Sequence, residues 1–143
     1  MNIRQIHATA AVTAFLLIAS FWISTVISEI FLSHQAVLTV KTVIVFAVFL
    51  LIAAMAITGA TGFKMAGKSQ NTAIVAKRRR MPMIAANGLL ILLPCAFFLY
   101  FKAAAGQFDS VFYAIQAVEL VAGVINLFLM FKSMQDAKNI HEK

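Results

Sequence analysis

Four long apolar stretches, roughly 8–30, 37–60, 84–101 and 110–131, alternate with three polar breaks along this chain. Each is close to the ~20 residues needed to cross a hydrocarbon core of ~30 Å. Backbone groups in hydrocarbon must be satisfied within their own segment, and stretches of this length suit helices rather than the short alternating strands of an outer-membrane barrel. The pattern therefore predicts an all-α bundle of four transmembrane helices in a single domain, residues 1–143. The opening stretch is too long for a cleavable signal peptide, and no small-residue cleavage site before a soluble domain follows it.

Composition agrees with the pattern. The chain is 62% hydrophobic and only 12% charged, with a mean hydropathy of +0.92, whereas about a quarter of the residues in a soluble domain are charged. Charge adds an orientation. The break over 61–83 carries Lys64, Lys68, Lys77, Arg78, Arg79 and Arg80, half of the twelve basic residues, and no acid. By the positive-inside rule this is a cytoplasmic loop, and an even number of spans then puts both termini in the cytoplasm of a bacterial inner membrane. The cluster Lys77, Arg78, Arg79 and Arg80 reads first as the topological anchor of the third helix, with Pro82 in that helix's first turn. It also suits anionic lipid head groups. Nucleic acid is not an expected partner, because the pI of about 10.0 reflects this anchoring bias.

Polar residues inside apolar stretches are costly in lipid and usually face the bundle interior. In the last stretch Gln116, Glu119, Gly123 and Asn126 are spaced three, four and three apart, which is one face of a helix, and the same face extends to Phe112 and Met130. Glu119 lies about ten residues from the external end and so near the bilayer midplane. Lys41 is the one base well inside a stretch, roughly 6–10 Å deep at the helical rise. Three arrangements stay open: a buried Lys41–Glu119 pair that fixes packing, a Glu119 carboxyl that takes up protons, or a Lys41 that reaches outward and never meets it. Asn87 and Asn126 fall at comparable depth and suit an interhelical amide bond or a ligand contact. Ser20, Ser24 and Ser28, with Ala10 and Ala14 upstream, suggest a close-approach seam, and Ala56, Gly59 and Ala60 suggest another. Trp22 reads as a packing residue, and Pro94 should kink the third helix.

No catalytic motif is present, the lone Cys95 allows no disulfide within the chain, and no metal cluster is expected. No cofactor is predicted. Haem is not expected, because His7 and His34 are roughly 40 Å apart along one helix and His141 lies in a polar tail.

The segment from Arg80 through "AANGLLILLPCAFFLYFKAAAG" to Gly106 resembles a helix of the MAPEG family of small four-helix membrane proteins of eicosanoid and glutathione metabolism. That resemblance implies that Arg80 and Asn87 occupy glutathione-binding positions on the cytoplasmic side of a trimer. From Lys77 onward the chain also resembles a group of small proteobacterial inner-membrane proteins of unassigned function, which implies a location and no chemistry. The leading expectation is a non-enzymatic subunit or accessory factor of a membrane complex. The alternatives are an oligomeric proton-coupled transporter or channel using Glu119, and a MAPEG-like enzyme. A chain this short encloses little interior, so a homo-oligomer or a larger complex is expected.

Overall fold

The computed structural model describes residues 2–67 and 72–142, with residues 73, 77 and 136–142 described by backbone alone. It is helical throughout. Helix α1 (Ile3–Phe31) opens on a reciprocal cap, in which Asn2 Oδ1 accepts from the Gln5 N–H and Gln5 Oε1 accepts from the Asn2 N–H. Ser33 caps α2 (His34–Ala66) across a two-residue link. Helix α2 stops at Gly67, whose φ of 52° suits glycine and lets its N–H close onto the Phe63 carbonyl. Helix α3 (Thr72–Asn87) runs through a π-helical turn (Gly88–Leu92) into α4 (Leu93–Ala104), and together they make the third crossing. Asp109 Oδ1 accepts from the Phe112 N–H at the start of α5 (Ser110–Glu142).

Four helical segments, Ile3–Phe31, His34–Ala66, Ile74–Ala104 and Ser110–Gln135, are long and apolar enough to cross a membrane. Their outer faces carry Leu16, Phe46, Leu50, Leu90 and Phe128 exposed. Such a surface suits lipid and not water, so the chain is a multi-pass membrane protein by length and composition.

Helix is longer than the pattern anticipates around the basic break. Residues 61–66 continue α2 and residues 72–83 belong to α3, leaving the turn at Gly67 as the one non-helical part of that break among the described residues. Lys and Arg are good helix formers, which is why a polar break in hydropathy is not a break in helix. Pro82 consequently sits inside α3 and not in its first turn. Near Pro94 the chain solves a missing donor differently: the wide turn over Gly88–Leu92 carries the Leu93 N–H back to the Gly88 carbonyl, and Pro94 opens α4 in a position where its ring is tolerated.

The helices form a ring. Helix α1 packs on α2 and α5, and the third crossing also packs on α2 and α5. Among the described residues no Cα of α2 comes within 8 Å of one of α5, so only long side chains bridge that diagonal. The interior has three layers along its axis. Ala14, Ile18, Val48, Leu51, Ala54 and Met130 form the apolar layer nearer the termini. Val37, Leu99, Ala103 and Phe112 form another at the opposite end. A polar layer lies between them.

Candidate functional site: a buried charge layer beneath an apolar cavity

The polar layer follows from helix spacing. Phe112, Gln116, Ala122, Gly123, Asn126, Met130 and Ser133 are buried along one face of α5, with Glu119 partly buried on the same face. Lys41 lies on the buried face of α2 between Val37 and Ile44. It is 1% exposed, so its ammonium does not reach an aqueous boundary. Its Nζ donates to Gln116 Oε1 and to Glu119 Oε1 at 3.4 Å, while Gln116 Nε2 donates to Glu119 Oε1 at 2.9 Å. Lys41 therefore spans the diagonal between α2 and α5 that the backbones leave open.

A residue that the pattern did not single out completes the layer. Glu29, one turn past the buried Thr25 on α1, places Oε2 3.9 Å from Lys41 Nζ. Both Glu29 carboxylate oxygens are buried, and neither receives a hydrogen bond among the described residues. The available signal was acid scarcity: Glu29 and Glu119 are the two acids that fall inside apolar stretches, out of five in the chain. With all three groups ionised, the layer holds two negative charges and one positive, and an uncompensated charge in a low-dielectric surrounding is costly.

The second constellation is structural in its geometry. Asn87 Nδ2 donates to the Ala122 carbonyl and to Asn126 Oδ1, each at 2.8 Å, which clips α3 to α5. Arg80 Nη1 donates to Ser133 Oγ at 3.1 Å, also across α3 and α5. Arg78 donates to the Ala66 carbonyl at 3.4 Å, and Arg79 is exposed; the side chain of Lys77 lies outside the described residues. His7 sets Nδ1 against the Thr58 carbonyl and Thr61 Oγ1 at 3.1 and 3.0 Å, fastening the start of α1 to the end of α2.

Between the helices lies a cavity of about 960 Å³. It starts among Arg4, His7, Arg78 and Ser133 at the end carrying the termini, is walled by Ala14, Ile18, Val48, Met55 and Leu92, and ends at Trp22, Thr25 and Glu119. Neither Arg80 nor Asn87 lines it. Past Glu119 the Val37–Leu99–Ala103–Phe112 layer closes the bundle. Beyond that, His34 stacks on Phe108 with ring centroids 4.0 Å apart, and Lys102 pairs with Asp109 at 3.0 Å. The Asp109 carboxyl is held below the usual carboxylate range by the Phe112 N–H first and by Lys102 second. Among the described residues no group of three or more His, Cys, Asp or Glu side chains is placed to hold a metal ion.

No family model matches the chain, and no match is found among curated proteins or solved structures. The functional reading therefore rests on the geometry above.

Proposed function

We propose that the chain is a small proton-coupled carrier of the bacterial inner membrane, working as an oligomer with both termini in the cytoplasm. Its proton site is the layer formed by Lys41, Glu29, Glu119 and Gln116. The observation that carries this reading is Glu29: a second buried carboxylate, with no hydrogen-bond donor on either oxygen, faces an ammonium that Glu119 already engages. A purely structural pair needs one acid for one base. The added acid leaves a single excess charge, and a proton is the smallest ligand that removes it.

Access supports the same reading. The cavity reaches Glu119 from the end carrying the termini, while an apolar layer and the Phe108 stack close the other end. A polar layer that a cavity reaches from one side and apolar packing closes on the other suits alternation between two states. The π turn at Gly88–Leu92 supplies a weak point in the third crossing where such a change can bend. A non-catalytic accessory subunit would be served by the Lys41–Glu119 contact alone. The MAPEG-like reading is less well supported, because Asn87 and Arg80 are engaged on α5 outside the cavity.

Infrared difference spectroscopy on the protein in lipid vesicles tests the proposal directly. Stepping the pH above the range in which exposed carboxyls such as Asp109 titrate should raise and remove a carboxylic C=O band, and Glu29→Gln with Glu119→Gln should abolish it. A wild-type protein whose carboxylic C=O bands are the same as those of the double variant at every pH where it stays folded would refute the proton site.

A further inference from the structure

A proton needs only one carboxylate of the charge layer, whereas the cavity that leads there has the size of a small-molecule site: about 960 Å³, within the ~300–1,000 Å³ that such sites span. Its two ends differ in charge. Arg4, His7 and Arg78 line it towards the termini, and roughly 27 Å further along α1 at the helical rise it ends at Trp22, Thr25 and Glu119. Around that deep end the wall is apolar, with Phe21, Ile44, Val48 and Ala96.

Glu119 is the acid that lines the cavity. Lys41 and Gln116 both reach it through Oε1, and neither hydrogen-bonds Oε2. Its side chain stays 14% exposed, against 1% for Lys41 and 10% for Glu29, so of the three charged groups it is the one a ligand can touch. Beside it the Trp22 indole is held by the bond from Nε1 to the Leu120 carbonyl, which fixes the ring before any ligand arrives. An aromatic ring next to a carboxylate suits a positive centre, through the ring quadrupole and the opposite charge together.

We propose that the deep end of this cavity binds a lipophilic organic cation, whose positive centre lies against Glu119 and Trp22 and takes the place of the proton there. The proposal names the cargo of the proton-coupled carrier and rests on that reading, because the single excess negative charge of Lys41, Glu29 and Glu119 is what the cation neutralises. An anion would add to that excess, and a neutral ligand would leave it in place. A small inorganic ion is disfavoured, since hard cations take about six or more oxygen ligands and only Glu119 and Thr25 bring side-chain oxygens to this end. A cation whose charge is spread over apolar groups gives up little hydration and fills the apolar wall. One excess charge admits one proton or one cation, so each weakens the other by the same factor. The titratable groups within electrostatic reach of Glu119 are Glu29 on α1, Lys41 on α2 and Cys95 on α4 among the described residues. Lowering the pH protonates the layer and should therefore expel the cation.

The test is saturable binding of tetraphenylphosphonium to the full-length protein in zwitterionic detergent, measured by equilibrium dialysis against tetraphenylborate, which has the same shape and the opposite charge. At alkaline pH tetraphenylphosphonium should bind at least tenfold more tightly than tetraphenylborate and change the fluorescence of Trp22, the one tryptophan of the chain. Its affinity should fall about tenfold over the pH range in which the carboxylic C=O band of the layer rises, and Glu119→Gln should remove the site. Equal binding of the two ions by the wild type would overturn the proposal without any variant, as would a folded Glu119→Gln protein that binds tetraphenylphosphonium as tightly as the wild type. The two readings fail separately. No saturable site in a protein whose carboxylic band still titrates would remove the cation and leave the proton site standing, whereas a pH-independent affinity with no titrating band would remove the proton site and the competition with it.

Discussion

Lys41 is 1% exposed among hydrocarbon-facing helices, so its charge persists only through the oxygens around it. Taking an ion out of water costs several kcal/mol, and removing one member of a buried pair commonly costs about 3–5 kcal/mol because the remaining charge is stranded. Lys41→Met should reach that range, since it leaves Glu29 and Glu119 facing each other without a counter-ion. Adding Glu29→Gln and Glu119→Gln to Lys41→Met removes both stranded charges and should recover most of the loss, read as the unfolding free energy in detergent. A triple variant no more stable than Lys41→Met would show that the three charges are not coupled. Lys41, Gln116 and Glu119 were legible beforehand because polar groups inside an apolar stretch stand out. Glu29 was passed over despite being one of two acids inside apolar stretches, since a charge two residues from a helix end is ordinary at a membrane boundary and packing alone shows that it turns inward.

At the scale of whole helices, spacing located faces better than it located seams. The three-and-four spacing on α5 marks the face that the structure buries. On α1 the buried line is Ala10, Ala14, Ile18, Thr25 and Ser28, whereas Ser20 is exposed and Ser24 only partly buried. The reason is local: Ser24 and Ser28 return their hydroxyl protons to carbonyls three residues back, so a serine on an apolar helix needs no neighbour. The π turn was equally invisible, because a proline predicts a disturbance and not its form. Trp22 shows what close approach on this face costs to disturb. Its Nε1 donates to the Leu120 carbonyl at 2.9 Å, and a Cβ on Gly123 would lie 3.0 Å from its Cδ1. Replacing a helical glycine by alanine ordinarily gains up to ~1 kcal/mol, but a tethered indole cannot retreat, and overpacking costs about 1–3 kcal/mol. Gly123→Ala should therefore lower the melting temperature, and Trp22→Leu should make the same change harmless. A higher melting temperature for Gly123→Ala alone would mean that α1 and α5 are not locked there.

For the molecule as a whole, charge and cavity point the same way. Among the described side chains, Arg4, Lys64, Arg78, Arg79, Arg80 and Lys132 lie towards the end carrying the termini, and Lys41 and Lys102 towards the other. Arg4 and Arg78 line the cavity at that same cationic end. Orientation therefore fixes more than topology: if the cationic end is cytoplasmic, the cavity lies on the cytoplasmic side of the charge layer. Single cysteines placed in a Cys95→Ala background separate the possibilities, at Gln107 in the link between α4 and α5 and at Gln135 near the end of α5, both exposed in the wild type. A membrane-impermeant maleimide added to intact cells should label Gln107→Cys and leave Gln135→Cys unlabelled until the cells are opened. The reverse pattern would turn the molecule over, putting the cavity and the arginines that line it towards the outer face. The closed apolar layer of Val37, Leu99, Ala103 and Phe112 would then lie between the charge layer and the cytoplasm, and the cavity would lead to Glu119 from the outer side.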